Sequence, residues 1–223
     1  MCRLNDNLEK AMTKPQQKID LFKENKAEYK AGATPVVVET SPAQYLMIDG
    51  QGAPDGPAFE ACIGAIYSVA YTIKMRCKAA ARTDYVVSKL ECTWYMPDPK
   101  MDFAATPRDQ WQWTLMIRTP DHVTRDDLRE AIDVLLDKGK AEKVRAVRLE
   151  DLDEGRCIQM LHVGPYDKIH ETVLEVGKFA DANRLLPNGR HHEIYLSDPR
   201  RVAPEMLKSI IRQPVSQQNG RAG

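Results

Sequence analysis

The sequence predicts an α+β fold: a β-α-β-β unit used twice, with antiparallel sheets, the long helices on one side and a groove at the pseudo-twofold axis between the halves. Three observations carry this. The order strand, glycine-rich turn, long helix, strands occurs twice along the chain. Apolar residues recur at helical spacing in the long segments and alternate in the short ones. Turn residues separate the two kinds of segment.

The first pass opens with strand Val36 to Val38 and continues through Gln44 to Ile48. Gly50, Gly52, Pro54, Gly56 and Pro57 then mark a turn. A helix is predicted from about Ala58 to Ala80, its buried stripe given by Phe59, Cys62, Ile63, Ile66, Tyr67, Ala70 and Ile73. Two strands follow, Tyr85 to Val87 running on towards Tyr95, and Trp111 to Arg118. Thr124 with Asp127 three residues on resembles a capping box, so a helix is expected from about Arg125 to Lys138. The second pass reads strand Val144 to Leu149, strand Arg156 to Val163, a Gly164-Pro165 turn, a helix from about Ile169 to Asn183 and strand His192 to Leu196. A short helix after Pro204 and a closing segment Ile210 to Val215 complete it. The expected organisation is a polar tail over 1–17, a domain over 18–215 made of units 33–120 and 121–215, and a polar tail over 216–223. Residues before about 30 are polar and charged, and both ends are expected to be loosely docked.

With 223 residues the chain is long enough to bury a real core. Its 32 basic and 32 acidic residues balance, which leaves no basic excess to neutralise phosphates, so no direct nucleic-acid partner is expected. No apolar run is long enough to span a bilayer and the first residues lack a signal-peptide core, so a cytoplasmic protein without a membrane partner is expected. Cys2, Cys62, Cys77, Cys92 and Cys157 are odd in number and widely spaced, which fits free thiols and not a disulfide frame or zinc site. His191 and His192 are adjacent and face opposite ways, which argues against a shared metal. Neither a metal nor a cofactor is expected.

The stretch from His191 to Arg200 carries the most chemistry. Alternation puts Glu193 and Tyr195 on one face, and His192, Ile194 and Leu196 on the other. A carboxylate between β-formers is costly unless its face is wet or it meets a cation, a proton or a positioned water. The same alternation groups Glu91, Thr93 and Tyr95 against Leu90, Cys92 and Trp94. Each half thus carries a strand with a Glu two or four residues from a Tyr, and paired carboxylates in a dry pocket would supply one acid and one base. Trp94, Trp111 and Trp113, beside Tyr85 and Tyr95, suit either a core or a planar lipophilic ligand. His162 ends a strand just before Gly164-Pro165-Tyr166.

Met47-Ile48-Asp49-Gly50-Gln51-Gly52, Asp84-Tyr85-Val86-Val87, Trp111-Gln112-Trp113-Thr114-Leu115-Met116-Ile117-Arg118, His162-Val163-Gly164-Pro165-Tyr166 and His191-His192-Glu193-Ile194-Tyr195-Leu196-Ser197-Asp198-Pro199-Arg200 closely resemble stand-alone GyrI-like small-molecule-binding proteins. The resemblance spans about Lys18 to Val215. It implies tandem SHS2 (β-α-β-β) modules around a central groove. In the family's drug-sensing relatives, the glutamate matching Glu193 lies at the pocket floor and pairs with cationic lipophilic drugs. The branch sharing the Trp-Gln-Trp and His-His-Glu-Ile-Tyr-Leu signatures includes enzymes that hydrolyse the cyclopropane of DNA-alkylating compounds. That branch carries Gly and Trp where this chain has Cys92 and Tyr95, so one pocket wall is expected to differ. With no helix-turn-helix segment ahead of the domain, a one-chain transcription factor is not expected.

The site expected on this basis has Glu193, Glu91 and Tyr166 as catalytic residues. Trp94, Tyr95, Trp111, Trp113, Tyr195, His162 and Tyr85 are expected to contact the ligand. Glu193 would activate a water while Glu91 or a tyrosine hydroxyl steadies the oxygen that gains charge. The alternative is a non-catalytic drug-binding, sequestering or sensing module in which Glu193 is only a counter-ion. The oligomeric state is not legible.

Overall fold

The structure, a computed structural model, describes residues 18–98 and 105–218; the expected tail over 1–17 lies outside them. In chain order the elements are α1 (Leu21–Glu24), β1 (Val36–Glu39), β2 (Ala43–Gln51), α2 (Pro57–Ala79), β3 (Leu90–Tyr95), β4 (Gln112–Arg118), α3 (Arg125–Asp137), β5 (Arg148–Leu152), β6 (Arg156–Val163), α4 (Ile169–Ala182), β7 (Leu185–Pro187), β8 (His191–Tyr195) and β9 (Lys208–Gln217). Eight strands form one sheet in the order β1-β6-β9-β8-β3-β4-β2-β5, and β7 pairs with the far end of β9 as a ninth. Every pairing between these strands is antiparallel.

The two passes meet at β3 and β8, in the middle of the sheet. There Cys92 lies opposite Glu193 and Trp94 opposite His191. The first strand of each pass is exchanged: β1 sits beside β6 and β5 beside β2. Helix α3 also packs on α2, in the first half. A boundary drawn at residue 120 therefore divides the sequence but not the packing.

Helices α2 and α4 cover one face of the sheet. Pro57 begins α2 at the position where its missing N–H costs nothing, and Phe59, Cys62, Ile66, Val69, Ile73 and Cys77 bury one stripe against Leu46, Ile48, Leu115 and Trp113. The Thr124–Asp127 capping box starts α3 as the sequence suggests. Helix α4 lays Ile169, Val176 and Ala180 on Ile158, Ile211 and Val215. The helices stand over opposite halves of the sheet, leaving β3 and β8 as the floor between them.

The segment over 18–35 covers the other face. The expected loose docking is corrected for its described part: Tyr29 packs with Ile194 and Ile210, and Ile19 bridges to Tyr85. Charge pairing makes this possible, since Glu28 meets Arg118 at 2.8 Å. Three strand expectations also shift. Tyr85–Val87 is not a ladder strand, and β3 starts only at Leu90. Val144 lies in a 3-10 turn (Glu142–Ala146), so β5 begins at Arg148. Ser216 and Gln217 are paired with Leu186 and Leu185 and do not belong to a tail.

Candidate functional site

The groove between α2 and α4 encloses about 2590 Å³. Its floor is the helix-facing side of β3 and β8: Trp94, His191, Glu193 and Tyr195. One wall comes from α2 through Phe59, Ile63, Tyr67 and Tyr71; the other from α4 and the turn before it through Tyr166, Ile169, Val173 and Leu174. Tyr71 is 53% exposed and Leu174 60%, so the rim presents apolar surface to solvent, a feature of binding sites.

Glu193 is only 8% exposed. Tyr195 donates its hydroxyl to Glu193 Oε2 at 2.9 Å, and His191 Nε2 lies 3.0 Å from Oε1. The Tyr195 ring meets Tyr166 edge-on, with centroids 5.7 Å apart. Burial and the Glu193 charge push the Tyr166 hydroxyl upward and Tyr195 well above its ordinary value, so both remain donors at neutral pH. On the other side Trp94 stacks with Phe59 at 5.6 Å and meets Trp111 edge-on at 5.9 Å. The buried Trp94 Nε1–H makes no well-aligned hydrogen bond. Burial holds the Cys92 thiol, directly beside Glu193, protonated and therefore a poor nucleophile.

Glu193, Tyr166, Trp94, Trp111 and Tyr195 thus line one groove. Tyr95 lines it as well, with the Arg190 guanidinium 3.6 Å from the centre of its ring. Four other expected site residues lie elsewhere. Glu91 is fully buried on the opposite face, because pairing sets Cys92, not Glu91, beside Glu193. Trp113 is buried behind Phe59, its N–H bonded to Gly52 O. Tyr85 is a core residue against His122. His162 spends both ring nitrogens, on the Thr172 hydroxyl and on Pro165 O. The expected pair of carboxylates in one pocket is therefore corrected: the groove holds Glu193 alone of the two.

Glu91 belongs to a buried charge cluster instead. Its Oε2 lies 3.0 Å from His192 Nε2, without hydrogen-bond alignment, and its Oε1 accepts from Tyr29 at 2.9 Å. His192 Nδ1 contacts both Glu154 oxygens at 3.0 Å, and Arg212 donates to Glu154 at 3.1 Å. Burial opposes charge on both His192 and Glu154, yet their mutual attraction, with Glu91 and Arg212 assisting, prevails. His192 is raised to about 9 and Glu154 held at about 2.

Sequence reasoning missed His191 and Tyr71, and it assigned Tyr67 only to the buried stripe of α2, where the ring also lines the groove. His191 was findable, since it stands two residues before Glu193 and must share its face.

The family model for the GyrI-like small molecule binding domain matches residues 33–216. The chain belongs to this family. Among solved structures, a conserved protein of Listeria innocua is similar to this GyrI-like chain at 38% identity, covering 89% of this chain and 100% of its own, with a TM-score of 0.83. A hydrolase from Listeria innocua is similar at 37% identity, covering 89% of this chain and 100% of its own, with a TM-score of 0.79. The EcmrR C-terminal domain, at 13% identity and a TM-score of 0.53 over 82% of this chain and 98% of its own, shares the fold alone. There is no match among curated proteins. Among the described residues no three His, Cys, Asp or Glu side chains are grouped to hold a metal, and no helix is long and apolar enough to cross a membrane.

Proposed function

We propose that the groove of this GyrI-like protein binds planar, lipophilic molecules and hydrolyses strained electrophilic rings in them, cyclopropanoid alkylators being the class in view. The observation that carries this is Glu193. A buried carboxylate set among aromatic rings, with a tyrosine hydroxyl on one oxygen and an imidazole on the other, is placed to activate water. Trp94, backed by Phe59, and Trp111, set edge to face with it, line the groove with aromatic surface for the planar body of the ligand. Tyr166, kept protonated, can donate to the oxygen that gains charge as the ring opens, whereas the Tyr195 hydroxyl is spent on Glu193. The Listeria hydrolases at 37% and 38% identity support a catalytic reading. In a cytoplasmic setting the reaction would detoxify alkylators before they meet DNA.

A second reading has one observation in its favour. The groove exceeds the roughly 300–1,000 Å³ of an ordinary small-molecule pocket, which suits a sequestering protein with Glu193 as counter-ion. Product analysis separates the two. The protein is incubated with a spirocyclopropane fused to a planar dienone, and mass spectrometry follows the water adduct. Hydrolysis gives many adducts per protein, and Glu193→Gln lowers the rate roughly a hundredfold while binding of a neutral planar ligand persists. Sequestration gives stoichiometric depletion without adduct, and the same substitution weakens cationic ligands only.

A further inference from the structure

We infer that His191 is a catalytic residue of this site: its Nδ1 receives the proton of the attacking water, while Glu193 orients the imidazole from behind and stabilises the imidazolium that forms. The inference rests on the hydrolytic reading and refines the part Glu193 plays in it.

Three observations lead here. First, both Glu193 oxygens are engaged, Oε2 by the Tyr195 hydroxyl and Oε1 by His191 Nε2, and the carboxylate is buried. An ionised carboxylate only accepts, so Nε2 carries a proton, and in the neutral imidazole the lone pair then sits on Nδ1. That is the tautomer a base requires, and the one a carboxylate enforces in Ser-His-Asp hydrolases. Secondly, no described residue bonds Nδ1, whereas His162 is bonded at both nitrogens and His192 is locked between two glutamates. Thirdly, His191 is the direct cross-strand neighbour of Trp94 on the groove floor, and such neighbours have Cβ atoms about 5 Å apart. A ring seated against Trp94 therefore lies beside the imidazole, with Glu193 one step further along the floor.

Among the described residues, Glu193 is the one carboxylate that bonds the His191 ring, and it does so on Nε2, away from Nδ1. Strand β3 offers Trp94 and the protonated Cys92 thiol, β9 brings neutral Gln213 into the lining, and Arg190 is turned onto Tyr95. Glu60 of α2, and Asp167 and His170 at the start of α4, line the walls. In the step itself the water oxygen bonds to the ring methylene as its proton passes to Nδ1. The ring C–C bond breaks, and its electron pair moves through the dienone onto the carbonyl oxygen. That oxygen, held by a tyrosine hydroxyl, then takes a proton back from the imidazolium. One water is added and nothing is oxidised or reduced.

His191→Gln keeps an N–H towards Glu193 but removes the basic nitrogen; His191→Gly opens a space that free imidazole can fill. With the spirocyclopropane dienone as probe, the glutamine variant is expected to lose turnover roughly a hundredfold, while quenching of tryptophan fluorescence shows ligand binding retained. Imidazole added to the glycine variant is expected to restore turnover with saturation. A glutamine variant that turns over at the wild-type rate overturns the role of His191 and leaves the hydrolytic reading standing. So does a glycine variant that binds the probe yet gains nothing from imidazole. Wild-type protein that forms no water adduct overturns both.

Discussion

Glu91 and Glu193 show how much one position of register decides. Both are glutamates on central strands, and alternation within each strand is read correctly from sequence. What alternation cannot supply is which residue of β3 faces which residue of β8. Pairing of Cys92 with Glu193 sends Glu91 through to the far face, into contact with Tyr29 and His192. Removing the Glu91 charge should therefore act on stability and not on chemistry. Glu91→Gln leaves His192 with one carboxylate fewer in a dry site but keeps Glu154 against it, so the cost falls below the roughly 3–5 kcal/mol of breaking a buried pair outright. The expected result is a clearly lower midpoint in urea with near-normal turnover per folded molecule; a selective loss of turnover at unchanged stability would return Glu91 to the active site. The groove residues Glu193, Tyr195, Trp94, Trp111 and Tyr166 were legible because each sits in a distinctive local pattern. Trp113, Tyr85 and His162 carry equally suggestive patterns, but their surroundings are set by helix packing and turn geometry that local sequence does not encode.

At the scale of elements, α2, α3, α4 and β6 were legible almost to the residue, because long periodic segments and caps are local signals, whereas the four-residue α1 was not. Strand ends were less so. Tyr85–Val87 has β-forming residues yet pairs with no ladder strand, since Ile19 alone bridges to Tyr85 and β3 takes over at Leu90. The Asp49-Gly50-Gln51-Gly52 segment has a packing reason that sequence hides. A Cβ on Gly50 would lie 2.0 Å from the Trp113 ring, which rests on the bare backbone of β2. Gly52 has φ of 122°, in the region that favours glycine. Gly50→Ala must push Trp113 towards Phe59, and so disturb the stack on which Trp94 depends. Overpacking of this kind costs about 1–3 kcal/mol. A lowered midpoint with altered tryptophan fluorescence is expected, and an unchanged spectrum would mean that the ring contact does not hold.

Over the whole molecule, the exchanged strands and the buried charges bind both halves and the 18–35 segment into one unit. The charge cluster gives that union a pH dependence. His192 sits at about 9 in the fold against an ordinary 6.5, so its stabilisation is complete below 6.5 and lost as pH rises through about 9. Glu154, held at about 2 against 4.5, contributes fully above 4.5 and is lost as pH falls through about 2. Urea midpoints should peak between about pH 4.5 and 6.5 and decline towards pH 9, by an amount on the order of a few kcal/mol. His192→Gln should flatten the alkaline limb, and a flat wild-type profile from pH 6.5 to 9 would refute the ion pair.

Cooperativity follows from the same topology. All three tryptophans lie in the first pass, so their fluorescence reports that half, while far-UV circular dichroism reports every helix and strand. If the passes were separable modules, the two signals would part during unfolding. They are not built to part. Strand β5 of the second pass closes the edge of β2, β1 of the first closes the edge of β6, and β3 pairs with β8 through the floor of the groove. Neither half can leave without unpairing strands of the other and exposing backbone groups that must be satisfied. Fluorescence and circular dichroism should therefore trace one coincident transition in urea, the mark of a two-state unit. A fragment ending at residue 120 would lack β5, α3 and β8, and is expected to remain unfolded alone. A tryptophan signal that survived after half the circular dichroism had gone would show the first pass to be an independent module.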